Sequence, residues 1–376
     1  MSGDPRAFVE PAYEHHSLGD VLPAVATALG VDAGLPPSAL ELPPGERYVV
    51  FLVDGLGLEL LRDHEEQAPF LHAHLAGSAP ATAGVPSTTA TSLTSLGTAL
   101  VPGVHGVVGF TTRIPGTDDL LNALSWSKHV DPRQWQPHPT AFDRLESAGV
   151  TTTVVNKREF AGSGLTLAGQ RGATFRGADK VGEKLAGVLE ASASGPSLTY
   201  MYDGDLDWTG HRHGVASLAW QLQLAMIDTE VEQLRETLPP EVRVVLVADH
   251  GMVDSPVEDR IDVDEHPALL EGVAIVGGEA RFRHLYCRSG AVDDVAAAWR
   301  AKLGDRAEVL TREEVVARGW FGEVSPVVLP RLGDVVVAAR GSFSVMSSQA
   351  FPYETRLIGL HGSLTPAEML VPVLVL

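Results

Sequence analysis

Arg243-Val-Val-Leu-Val-Ala-Asp-His-Gly-Met252 is the stretch around which the chain is read. From Val244 to Ala248 the side chains are apolar and largely β-branched, the pattern of a strand buried on both faces. The run stops abruptly at Asp249 and His250, and Gly251 follows. A carboxylate beside an imidazole at the end of a buried strand is costly unless something pairs with them. A metal ion is the simplest such partner. A capped strand end would explain the same residues, so the reading depends on whether the arrangement recurs.

It recurs in Arg47-Tyr-Val-Val-Phe-Leu-Val-Asp-Gly55, another apolar run that ends at an acid and a glycine. It recurs again in Ser197-Leu-Thr-Tyr-Met-Tyr-Asp-Gly-Asp-Leu-Asp207, followed by Trp208-Thr-Gly-His211-Arg-His213-Gly214. In open α/β sheets, ligands bind outside the carboxyl ends of the strands. Three such ends can gather Asp54, Asp207, His211, Asp249 and His250 in one crevice. Carboxylates mixed with imidazoles suit zinc or a similar divalent ion. If the segment after the third strand is helical, Asp207 and His211 share a face and His213 points away.

The chain has 376 residues, 44% of them hydrophobic, enough to bury a large core. A formal charge of −20, with no run of Lys or Arg, argues against a nucleic-acid-binding surface. An anionic substrate would then need local positive charge, which bound metal ions supply. Cys287 is the only cysteine, so no intrachain disulfide can form. The first residues lack the pattern of a signal peptide, and no apolar run reaches membrane-spanning length. The expectation is a soluble, cytoplasmic protein with no membrane partner.

The expected fold class is α/β, a mostly parallel central sheet flanked by helices. Residues 1–45 read as a peripheral segment with a short helix from Leu18 to Leu29. Residues 46–254 and 331–376 read as the catalytic domain, and 255–330 as a small α+β cap insertion. Gly55 and Gly57 suit a tight turn after the first strand. Val150 to Val155 is a further parallel strand, and Arg331 to Ala339 is expected to return to the main sheet. Leu218 to Leu238 is a long amphipathic helix with Leu218, Leu222, Ala225, Met226 and Leu234 at helical spacing. Asp228 on it reads as a structural hydrogen-bonding group, and His266 and His284 as surface residues. Pro86 and Ser87 lead into a helix from about Thr89 to Thr98. A hydroxyl at that helix start meets unpaired N–H groups and a positive dipole end. It suits either a cap or a nucleophile. His361, between Gly359 and Gly362, is a candidate last ligand.

Taken together, these motifs resemble the nucleotide pyrophosphatase/phosphodiesterase branch of the alkaline phosphatase superfamily, over roughly residues 46 to 376. The resemblance rests on five motifs in order. They are Asp54-Gly55, the Thr-rich loop closing with Pro102-Gly-Val-His105-Gly, Asp207-x-x-Gly-His211-x-x-Gly214, Ala248-Asp249-His250-Gly251, and Gly359-x-His361-Gly362. It implies an alkaline-phosphatase-like fold and two divalent ions, zinc by preference. Asp207, His211 and His361 would hold one ion; Asp54, Asp249 and His250 would hold the other, together with a nucleophilic hydroxyl. His105 matches the pattern without being a ligand. Counting back from His105 places the nucleophile on Thr89, with Thr88 the adjacent alternative. The implied reaction is hydrolysis of a phosphodiester or pyrophosphate bond through a phosphothreonine, on a small phosphorylated substrate such as a nucleotide.

One position departs from that pattern. Where many relatives carry an Asn that binds a phosphoryl oxygen, this chain has Ser92, and backbone N–H groups or Lys157 are candidates to compensate. Trp208, Phe110 and Tyr202 are candidate base-binding aromatics. Cys287 lies outside any sulfatase motif, which disfavours that branch. The alternatives carried forward are a phosphonoacetate-hydrolase-like enzyme, a phosphomonoesterase, and a catalytically silent phospho-ligand binder. The absence of an Arg next to Thr89 favours diesters over monoesters.

Overall fold

The computed structural model describes residues 7–13, 15–78 and 80–376. Residues 1–6, inspected above for a signal peptide, lie outside the described residues.

The central sheet has six strands, in the order Val373–Val375, Val242–Val247, Arg47–Val53, Ser197–Asp203, Thr151–Asn156 and Thr174–Gly177. All neighbours run parallel except Val373–Val375, which is antiparallel to Val242–Val247. In the middle strand every side chain from Tyr48 to Val53 is fully buried. Helices cover both faces, so the strand shows no polar alternation. Register pairs Val53 with Asp203 and Leu52 with Val247. Three neighbouring strands therefore end at one edge, and the chain leaving them carries Asp54, Asp207 and Asp249.

Gly55 has φ +75°, and a Cβ there would lie 3.1 Å from the Asp207 Cα. It both turns the chain and lets the next strand's loop approach. Gly57, expected in the same role, has an ordinary φ of −62°. Its need is spatial, because a Cβ would meet the Gly251 Cα at 2.7 Å.

A second, antiparallel sheet has the order Val273–Glu279, Phe282–Cys287, Val335–Ala339, Ala307–Thr311, and the helix Val292–Leu303 packs against it. This corrects the expectation that Arg331 to Ala339 rejoins the main sheet. Val335–Ala339 is apolar and buried throughout, a pattern that fits a central position in either sheet. Sequence alone does not distinguish the two.

Three further expectations are corrected. The segment read as peripheral carries the helix Val21–Ala28, whose Val21, Leu22 and Val25 are fully buried in the main core. The long helix Leu218–Thr237 forms as expected, but it buries Trp220, Leu224, Ile227, Val231 and Leu234. Leu218, Leu222 and Met226 face outward, at 69%, 58% and 64% exposure. His284 is fully buried, with Nε2 at 2.9 Å from the Val108 carbonyl and Nδ1 accepting the Gly333 amide. Asp228 is structural as read, its carboxylate accepting the Phe70 and Leu71 amides at 3.1 and 2.8 Å.

Candidate active site

The helix Asp205–His213 follows directly on the third strand end and places Asp207 and His211 one turn apart. His211 Nε2 lies 3.4 Å from Asp207 Oδ2. His361 arrives after the short strand Gly359–Leu360, with Nε2 at 3.8 Å from Asp207 Oδ1 and 3.2 Å from His211 Nε2. Beside this group, His250 Nε2 lies 3.4 Å from Asp54 Oδ1 and 3.4 Å from Asp249 Oδ2. The rings of His250 and His361 stack at 3.7 Å and join the two groups. In each triad one ligand atom per residue lies within 4.8 Å of the others. All six expected ligands are thus brought together, while His213 is exposed.

The hydrogen bonds behind these rings decide what the triads can hold. His211 Nδ1 contacts the Gly359 carbonyl at 2.7 Å, His361 Nδ1 the Ser87 carbonyl at 2.9 Å, and His250 Nδ1 the Gly251 carbonyl at 3.0 Å. A carbonyl only accepts, so each Nδ1 carries a proton and each ring turns its Nε2 into the triad. Those nitrogens face carboxylate oxygens. Asp54 Oδ1, Asp207 Oδ1 and Asp249 Oδ2 are buried with no hydrogen-bond partner among the described residues. Burial, then the neighbouring Asp249 and Asp207 charges, holds the Asp54 carboxyl well above the usual range. Burial, then His250 and His211, pushes the His361 imidazole well below its usual value. Imidazole nitrogens and buried carboxylate oxygens that converge in each triad fit a divalent cation there.

The helix Thr89–Thr98 is buried along its whole length and starts at this edge. Thr89 Oγ1 lies 3.4 Å from Asp54 Oδ2 and 3.2 Å from His250 Nε2. Thr88 is the N-cap residue, makes no side-chain capping bond, and turns its hydroxyl toward Glu279 instead. Of the two threonines, Thr89 is the one hydrogen-bonded to the triad. Ser92 is fully buried, its hydroxyl without a hydrogen-bond partner among the described residues, and Lys157 is held by Asp205 at 2.8 Å. His105 is buried away from the triads, against the Ser95 hydroxyl at 2.9 Å, and burial lowers its pKa to about 3.

Outside the triads lies a cavity of about 370 Å³, reaching Thr89, Asp207, His211 and His361. Phe110 and Trp208 line it as expected, joined by Tyr353, Leu124 and Leu357. Tyr202 is elsewhere; its hydroxyl donates to Asp54 Oδ2. Glu279, which no motif marked, also lines the cavity, delivered by the second, antiparallel sheet. Only its place in the folded chain identifies it.

The type I phosphodiesterase / nucleotide pyrophosphatase family model matches residues 48–364. No curated protein gives a significant sequence match. Among solved structures, murine ectonucleotide pyrophosphatase/phosphodiesterase 5 is similar at 16% identity and TM-score 0.68, covering 87% of each chain. An inactive Thr-to-Ala variant of that murine protein, in complex with AMP, gives the same values. The human counterpart matches at 16% identity and TM-score 0.68, covering 88% of this chain and 87% of its own. The structural likeness shows the fold, and the family model spans well over half the sequence. The chain therefore belongs to the type I phosphodiesterase/nucleotide pyrophosphatase family, within the alkaline phosphatase superfamily.

Proposed function

We propose that this protein is a zinc-dependent hydrolase of phosphodiester or pyrophosphate bonds, with Thr89 as nucleophile. The observation that carries the reading is the Thr89 hydroxyl, 3.4 Å from Asp54 Oδ2 and 3.2 Å from His250 Nε2, at a helix N-terminus beside two triads of potential metal ligands. Asp207, His211 and His361 would hold one ion, and Asp54, Asp249 and His250 the other. When bound, the two ions supply Lewis-acid charge that eases loss of the threonine proton and neutralises the phosphoryl group. Thr89 Oγ1 forms a bond to phosphorus as the ester oxygen leaves, giving a phosphothreonine. Water then cleaves that bond and returns the hydroxyl. The N-terminal N–H groups of the Thr89–Thr98 helix face the site of developing negative charge. The inactive Thr-to-Ala variant of the murine neighbour supports a threonine in this role.

The substrate we propose is a small phosphorylated molecule, a nucleotide or another diester, with its organic part in the aromatic cavity. A cytoplasmic setting belongs to the same proposal and rests on the single cysteine.

The test is hydrolysis of bis-p-nitrophenyl phosphate against p-nitrophenyl phosphate by metal-stripped protein with zinc restored. We expect the diester to be preferred, and Thr89→Ala to lose about 10³-fold or more in kcat. Thr88→Ala is expected to keep its turnover within about tenfold. Monoester preference would replace the substrate class. Equal loss in both variants would remove Thr89 from its role. Tight zinc binding without turnover of either ester would favour the phosphonate-cleaving or silent alternatives.

A further inference from the structure

Glu279 ends the strand Val273–Glu279 of the second sheet and reaches the cavity beside the helix that begins at Thr89. It is 7% exposed. One carboxyl oxygen accepts the Phe110 amide at 3.2 Å, and the Thr88 hydroxyl is a hydrogen-bonding neighbour. The other oxygen, Oε1, is buried with no hydrogen-bond partner among the described residues. The remaining wall is largely apolar and aromatic, through Phe110, Leu124, Trp208, Tyr353 and Leu357. Of the other two cavity acids, Glu354 is committed to Arg283 and Asp207 belongs to a triad. Arg212, the basic residue of the lining, is exposed and stacks over Trp208 at 4.7 Å.

We propose that Glu279 selects substrates whose organic moiety carries an N–H or O–H donor, which its carboxylate accepts inside the cavity. The inference deepens the hydrolase reading above and rests on it for the placement of the phosphoryl group. A carboxylate repels phosphoryl oxygens, so Glu279 belongs to the organic side of the ester rather than to the reacting side. Away from the triads, an apolar cavity wall with an incompletely satisfied buried acceptor rewards a donor strongly. A ligand without one leaves the carboxylate desolvated and unpaired. Burial pushes the Glu279 carboxyl up to about 8, so its charge is poorly solvated and, with no donor to meet it, the carboxylate prevails only above that pH. A donated hydrogen bond offsets that cost.

The test compares calorimetric binding of three phosphate esters of similar size to the zinc-loaded protein, at about pH 9 so that Glu279 is ionised: ethyl, 2-hydroxyethyl and 2-aminoethyl phosphate. Hydrogen bonds to charged groups predict that the two donor-bearing esters bind about tenfold tighter than ethyl phosphate. In Glu279→Leu both preferences should fall toward one. Glu279→Gln keeps the size of the side chain and an acceptor for the Phe110 amide; it should lose most of the aminoethyl preference and retain part of the hydroxyethyl one. Three equal affinities in the native protein would overturn the inference, as would preferences that survive both substitutions or no binding of any ester. A protonated Glu279 donating to a phosphoryl oxygen would strengthen all three esters alike and also leave the ratio at one. Bis-p-nitrophenyl phosphate turnover is read on the same samples. Donor preference without turnover would sink the hydrolase reading alone, and turnover without donor preference would sink this inference alone.

Discussion

A histidine becomes useful as a metal ligand when its far nitrogen is fixed. Here three backbone carbonyls hold the Nδ1 atoms of His211, His250 and His361, and no side chain is needed to set their tautomers. The carboxylates lack such backbone symmetry. Asp249 Oδ1 is held by the Gly55 and His250 amides at 3.1 and 3.0 Å. Asp54 depends on the Tyr202 hydroxyl. Tyr202 is therefore a positioning residue that orients Asp54 without touching the proposed ion. Tyr202→Phe removes that bond at nearly constant volume. We expect zinc affinity, measured by competition with a chromophoric chelator, to fall about 10- to 100-fold. Unchanged affinity would show that Asp54 is oriented without it.

Among the elements, the helix Leu218–Thr237 shows how a periodic pattern can mislead. Two apolar stripes coexist on it. Leu218, Leu222 and Met226 form the outer one, while Trp220, Leu224, Ile227 and Val231 form the buried one. The buried face also carries Glu230, which is 6% exposed and whose Oε1 has no hydrogen-bond partner among the described residues. Burial raises its pKa to about 7, opposed by Lys184 and reinforced by Asp203 and Asp205. An acid whose folded pKa is raised contributes stability below its unfolded pKa and loses that contribution as pH rises through the folded value. The window runs from about 4.5 to about 7. Its size is on the order of 3 kcal/mol, from the shift in pKa. Urea melts of Glu230→Gln should show a flatter pH dependence across that window and a gain over the native protein at pH 8. Parallel pH profiles for the two proteins would contradict this.

At the scale of the molecule, the proposed ligands span the sequence from Asp54 to His361 and come from loops and from the helix Asp205–His213 at one sheet edge. An ion in either triad therefore ties distant segments together and binds the folded chain in preference to the unfolded one. Each site occupied at about a thousandfold excess over its Kd contributes about 4 kcal/mol. Thermal melts with zinc and with a chelator should differ by several degrees. His361→Ala and Asp249→Ala should each remove one of two bound zinc ions, counted by elemental analysis. A single zinc in the native protein, or melts indifferent to zinc, would count against two structural triads.

The sequence by itself determined the family, the parallel strands, the six triad residues and the helix that begins at Thr89. It could do so because those features are local. A buried strand is an unbroken apolar run, and a ligand pair on one helical turn is a spacing of four. Tertiary structure alone decided which sheet Val335–Ala339 joins, which stripe of the long helix is buried, that His284 lies in the interior, and that Thr89 rather than Thr88 contacts the triad. It also placed Tyr202 on Asp54 and Glu279 in the cavity. Each of these is a relation between segments far apart in the chain. Hydrophobicity fixes that a side chain is buried, but packing fixes against what.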